Sequence, residues 1–191
     1  MNSSIRSTLE KIVLRGTERG FTISGAESCT GGLVASKITS ISGSSDIFQM
    51  GFVTYAEESK MKYVGVKPQT LKDHSVYSRE VAVEMALGCI EETGADIGIG
   101  ITGVAGFDPV VVMIDGNPVE IEPGTVYISC AMKKRNIITV ISQKYARNPK
   151  KSILGEFGDF RNEVREAAVN CAIDMAIELI EEEFDNVIKS R

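Results

Sequence analysis

The 191-residue chain contains one histidine, no tryptophan and four cysteines that form no Cys-x-x-Cys pair. Cys29, Cys89, Cys130 and Cys171 stand far apart, and one histidine cannot complete a zinc site, so no metal is expected. Their composition context reads as small buried apolar side chains in a reducing compartment. Cys29 has the most suggestive neighbours, but a reactive thiolate needs an electropositive partner, and no histidine is near it in sequence. No stretch reaches the ~18 uninterrupted apolar residues of a membrane span. The opening Met1-Asn2-Ser3-Ser4-Ile5-Arg6 lacks the apolar core of a signal peptide, which gives the expectation of a cytoplasmic protein. There is no basic block: 21 basic against 26 acidic residues leave a net charge of −5. That balance disfavours a nucleic-acid surface, though not a local pocket for one phosphate. The Gly-rich turn Thr102–Gly106 is neither a Walker loop nor Gly-x-Gly-x-x-Gly, so it implies neither a nucleoside triphosphate nor NAD. Without internal repeats or a low-complexity linker, residues 1–191 read as one domain able to bury a sizeable core.

What is present alternates helices with strands. Ile5, Leu9, Ile12 and Val13 share a helical face from about Ser4 to Glu18, closed by Gly16 and Gly20. A strand is expected from Phe21, then a Gly- and hydroxyl-rich turn through Gly32 and a helix to about Ile41. Gly51 to Tyr55 reads as a strand, Glu57 to Lys62 as a short helix ending at Gly65, and Ser78 as the cap of an amphipathic helix stopping at Gly94. Asp96 to Thr102 is a central strand whose glycines suit close backbone approach. Within the 107–123 insertion, Asp115-Gly116-Asn117 signals a hairpin. Strands at Thr125–Ala131 and Ile137–Ser142, joined by a polar turn, precede a long helix from about Arg161 to near Ile188. The pattern predicts a three-layer α/β/α sandwich with a mixed sheet.

Five places carry candidate chemistry. Ser28 sits at a strand-to-helix turn, where a hydroxyl serves either as a helix cap or as a nucleophile. Ser45, in Gly43-Ser44-Ser45, has the same two readings. Lys60 follows Tyr55 by five residues; a lysine is ordinarily solvated, but burial lowers its pKa far enough to make it a general base. Thr102-Gly103-Val104-Ala105-Gly106 ends a central strand, where open α/β sheets bind ligands, and reads equally as a tight connection. Arg161 and Arg165 share a face at the start of the last helix, suited either to an anion or to nearby glutamates.

Taken together, these stretches resemble the CinA C-terminal domain family, whose characterised members are nicotinamide-nucleotide amidases. The matching runs are Ala26-Glu27-Ser28-Cys29-Thr30-Gly31-Gly32, Gly43-Ser44-Ser45 with Phe48, and Gly51-Phe52-Val53-Thr54-Tyr55 with Lys60. They continue through Gly65-Val66, His74, Ser78, Ala95-Asp96, Thr102–Gly106, Pro123-Gly124-Thr125-Val126-Tyr127 and Gly158-Asp159 with Arg161 and Arg165. The resemblance runs in order from about Ile5 to Phe184.

It implies metal-independent hydrolysis of nicotinamide mononucleotide to nicotinic acid mononucleotide and ammonia by a serine–lysine pair, with no cofactor. Carried over by position, Ser45 is the preferred nucleophile ahead of Ser28, Lys60 is the base, and Tyr55 assists proton transfer. Thr30, Gly31, Gly43, Ser44, Gly103 and Gly106 are expected around the substrate, with Thr102 and Arg161 on its phosphate. The partners expected are a small nucleotide and a second copy of the chain, with no nucleic acid and no membrane.

Two departures stand out. The 107–123 segment reads Phe107-Asp108-Pro109-Val110-Val111-Val112-Met113-Ile114, apolar where the family has a proline- and glycine-rich loop. Phe160 is inserted between Gly158-Asp159 and Arg161. Both fall where substrate contact is expected, so a nucleotide-binding regulatory module, or an amidase for another small amide, stand as alternatives.

Overall fold

The computed structural model describes residues 3–134, 137–146 and 157–189. Helix α1 (Ser3–Arg19) leads into strand β1 (Ile23–Glu27) and helix α2 (Leu33–Thr39). A 3₁₀ turn at Ser44–Asp46 precedes β2 (Phe48–Val53) and the helices α3 (Glu57–Val64), α4 (Pro68–His74) and α5 (Arg79–Thr93). Strand β3 (Ile97–Gly103), the hairpin β4 (Val110–Ile114) and β5 (Asn117–Ile121), strands β6 (Val126–Lys134) and β7 (Ile137–Tyr145), and helix α6 (Phe157–Lys189) complete the order. Of the polar turn expected over Lys133-Lys134-Arg135-Asn136, Lys133 and Lys134 instead end β6, while Arg135, Asn136 and the expected loop around Arg147-Asn148-Pro149 lie outside the described residues.

Five strands form one sheet in the order β2-β1-β3-β6-β7. β2, β1 and β3 are parallel, while β6 and β7 run antiparallel to their neighbours, so the sheet is mixed as the element pattern predicts. One face buries Ile23, Ile97, Ile99, Ile101, Ile128 and Cys130 against α1, α2 and α6. The other packs on α3 and α5 through Ala26, Val64, Val81, Met85 and Cys89.

The glycines of β3 explain how closely α5 approaches. A Cβ at Gly98 or Gly100 would lie 1.9 Å from the Ala86 carbonyl oxygen or 2.0 Å from that of Ala82. Any side chain there would push α5 off the sheet. Ser78 caps α5 by accepting from the Val81 N–H, and Gly94 ends it in the left-handed region, both as its sequence signals predict.

Several boundaries differ from the sequence reading: β6 and β7 each run three residues past their expected ends and α6 begins four residues before Arg161, and two further differences lie beside the site. β1 starts two residues later than Phe21 and continues through Gly25 and Ala26, because Ala26 and Glu27 pair with Phe52 and Val53 of β2 as well as Gly100 and Ile101 of β3. β2 is one strand across Phe48–Val53, whose start pairs with Ile23. In the insertion, β4 and β5 pair antiparallel around Asp115 and Gly116, with φ of 51° and 77°. Positive φ at both turn residues matches the twist of a two-residue hairpin.

Candidate active site

β1 and β2 are parallel and adjacent, so their carboxyl ends deliver Ser28 and Thr54-Tyr55 to the same edge of the sheet. The Thr54 N–H donates to the Glu27 carbonyl at 2.9 Å, and the Ser28 N–H to Ile101 at 3.0 Å. These bonds extend the sheet one residue past each strand. From the next helix, α3, Lys60 turns back under this edge. It is 0% exposed, the largest fully buried side chain in the molecule's described part.

Its Nζ has three neighbours: the Thr54 carbonyl at 2.6 Å, the Tyr55 carbonyl at 3.3 Å and Ser28 Oγ at 3.0 Å. The chemistry follows from valence. An ammonium donates to all three. A neutral amine keeps two hydrogens for the two carbonyls and turns its lone pair to the Ser28 hydroxyl. Burial lowers the Lys60 pKa to about 8, against an opposing pull from Glu57. Desolvation disfavours the charged form, so the amine is available as a base near neutral pH.

Ser28 is free for this role because another group caps α2. The buried Glu27 carboxylate accepts from the N–H groups of Gly32 and Val34 through one oxygen and of Ala35 through the other, each at 3.1 Å. The turn between them needs φ of 62° at Gly31 and 92° at Gly32, which only glycine adopts cheaply.

Beyond Ser28 opens a cleft of about 450 Å³, lined by Tyr55, Glu57, Tyr77, Arg161 and the 103–108 loop among others. Cys29 also lines it, but burial pushes its pKa up to about 11 despite the nearby Arg161. At neutral pH it is a thiol and a poor nucleophile. Arg161 donates to the Tyr55 phenol oxygen at 3.2 Å. Arg165, one turn along α6, donates to the Thr30 carbonyl at 2.8 Å and so braces the turn after Ser28.

Several expected site residues sit elsewhere. Ser45 and Ser44 lie in the 3₁₀ turn before β2, and Gly43 is its cap. Ile47, at the end of that turn, accepts from the Ile23 N–H at the amino end of β1. The six residues of β2 then separate Ser45 from Thr54 by about 20 Å at ~3.3 Å per residue. The Ser45–Lys60 pair is therefore not formed, and Gly43–Ser45 offers no donors to the cleft. Thr102 is wholly buried and its hydroxyl donates to the Val76 carbonyl at 2.7 Å. It supports the wall beside Tyr77 and does not face a ligand. The Tyr55 phenol meets Arg161, and its carbonyl meets Lys60, so the expected relay through the hydroxyl is replaced by a backbone contact. Thr30 is buried and Gly31 beside it is exposed, and neither lines the cleft. Gly103, Gly106 and Arg161 do line the cleft.

Glu57 and Tyr77 were not singled out by sequence. Glu57 stands one helical turn before Lys60, a spacing that places both on one side of α3. Tyr77 carried no signal; its phenol is held above its ordinary pKa, first by burial and then by Tyr55 and Glu57.

Residues 5–180 match the family model of the CinA C-terminal domain. The chain belongs to the CinA C-terminal domain family. A CinA-like protein of Kosmotoga olearia is 40% identical over 168 residues, which is 87% of this chain and 36% of that protein. One from Chloroherpeton thalassium is 56% identical over 88 residues, 46% of this chain and 21% of that protein. The chain thus spans about a third or less of these relatives' length. Among solved structures, the competence/damage inducible protein CihA from Agrobacterium tumefaciens superposes with a TM-score of 0.75 at 32% identity, covering 94% of this chain and 97% of that one. A CinA superfamily protein from Escherichia coli gives 0.71 at 27% identity, covering 94% and 92%. These CinA-family neighbours share the mixed α/β architecture. Among the described residues no helix is long and apolar enough to cross a membrane.

Proposed function

We propose that this CinA-family chain hydrolyses a small carboxamide by a serine–lysine mechanism, with Ser28 as nucleophile, and that its substrate is nicotinamide mononucleotide. The observation that carries the reading is the buried Lys60 Nζ at 3.0 Å from the Oγ of Ser28, which lines the cleft. The resemblance to nicotinamide-nucleotide amidases supplies the substrate.

In the proposed cycle neutral Lys60 takes the Ser28 hydroxyl proton as Oγ bonds to the amide carbon, giving a tetrahedral intermediate. The carbon–nitrogen bond then breaks, and the Lys60 ammonium returns that proton to the departing nitrogen, which leaves as ammonia. A water attacks the Ser28 ester while Lys60 accepts its proton. The bond between the acyl carbon and Ser28 Oγ then breaks, Oγ takes back the proton held by Lys60, and the carboxylic acid so released loses its remaining proton to solvent as the carboxylate. The two carbonyls hold Nζ in place through each transfer, which lowers the cost of reorientation. Arg161, at the rim, provides a forked donor for the phosphate.

The test is ammonia release from nicotinamide mononucleotide by the chelator-treated protein beside Lys60→Met. Turnover by the parent and a loss of about 10³-fold in the variant is the expected result for removal of a general base. A folded parent that binds the nucleotide without releasing ammonia would favour a regulatory module.

A further inference from the structure

Glu27 precedes the nucleophile and touches neither the cleft nor Lys60, yet four bonds converge on it. Its carboxylate takes three N–H groups from Gly32, Val34 and Ala35, fixing the distance from the end of β1 to the start of α2. Its carbonyl takes the Thr54 N–H at 2.9 Å. Thr54 in turn offers its own carbonyl to Lys60 Nζ at 2.6 Å, the shortest of the three bonds to that amine. One residue thus holds both partners, Ser28 through the turn that follows it and Lys60 through Thr54. At 2% exposure the carboxylate has no route to water in exchange.

We propose that Glu27 is a positioning residue for the Ser28–Lys60 pair, setting the separation of hydroxyl and amine as well as capping α2. This rests on the serine–lysine reading above and deepens it. An amide in place of the carboxylate keeps the shape but turns a donor toward one of the N–H groups. The turn then opens on the side that carries Ser28. A cap alone would change stability; a positioning residue changes the reactivity of Ser28 in the folded protein. Displacing a reacting group by about 1 Å can cost on the order of 10²-fold.

The probe is phenylmethanesulfonyl fluoride, with the adduct located by peptide mass and its rate followed with pH well below the melting temperature. The parent is expected to be labelled on Ser28. Glu27→Gln is expected to be labelled about tenfold or more slowly, with kcat for ammonia release falling in parallel and KM within about twofold. Folded Glu27→Gln that is labelled at the parental rate overturns the inference and leaves the serine–lysine reading intact. A parent not labelled on Ser28 overturns both. Hydrogen exchange in the unaltered protein needs no variant: the Val34 and Ala35 amides should be as protected as those of β1, and rapid exchange would show that the carboxylate does not hold the turn.

Discussion

Phe107 and Phe160 meet edge to face, with ring centroids 5.7 Å apart and planes at 80°. Phe107 opens the 107–123 segment, and Phe160 begins the approach to Arg161; these are the two stretches where the sequence reading expects a departure from the family's pattern, and the fold joins them. Phe160 is fully buried at the start of α6, while Phe107 lines the cleft. The contact therefore ties the 107–123 hairpin to the helix that carries Arg161, giving the cleft a firm apolar wall.

That division of labour separates two variants. Phe160→Ala removes a buried ring and is expected to destabilise by about 3–5 kcal/mol, read from denaturant unfolding. Phe107→Ala leaves the core in place and is expected to raise KM several-fold with kcat nearly unchanged, because it removes contact made alike in ground and transition states. A Phe107→Ala protein with parental KM would remove the aromatic wall from the account of substrate binding.

Lys60 sets the pH dependence. As a base it works when neutral, so kcat/KM should climb about tenfold per pH unit at low pH and level off near its pKa of about 8. The stability effect runs in the same direction with pH as that of a paired carboxylate, because in both cases the folded-state pKa lies below the unfolded one. Burial lowers the folded-state pKa below the ~10.4 of an unfolded lysine. Between about 8 and that value the unfolded chain holds more protons, so this group's contribution to stability rises with pH across the window and is flat below it. Melting temperatures of the parent and Lys60→Met, compared from pH 7 to 10, should diverge in the parent's favour above pH 8. A constant difference would contradict the lowered pKa.

Cys29 sits in the cleft as a neutral thiol, its pKa pushed up to about 11 by burial. Cys29→Ala should keep ammonia release within about threefold of the parent, as expected for a group outside the chemistry. Loss comparable to that from Lys60→Met would make the thiol a participant.

The sequence was most legible where one local rule decides. The Ser78 cap, the Gly94 stop, the Asp115-Gly116 hairpin and the Gly98 and Gly100 contacts with α5 all follow from short-range patterns. The site was legible in its parts but not in its pairing. Gly43-Ser44-Ser45 carries the same turn chemistry as the Ser28 region, and spacing does not say which end of β2 faces Lys60. Only the parallel pairing of β1 with β2 puts Ser28 and Thr54 together and leaves Ser45 at the far end. Thr102 stood at the carboxyl end of a central strand, but its side chain is spent on Val76. Glu27 drew no separate reading beyond its place before Ser28; its burial against three N–H groups depends on α2 folding over it.

The central claim is that Ser28, and not Ser45, attacks the amide. The most direct measurement is ammonia release from nicotinamide mononucleotide by Ser28→Ala and Ser45→Ala, each shown to be folded. The account predicts a loss of about 10³-fold or more for Ser28→Ala, with Ser45→Ala within about twofold of the parent. Full activity in Ser28→Ala, or its collapse in Ser45→Ala, would contradict it.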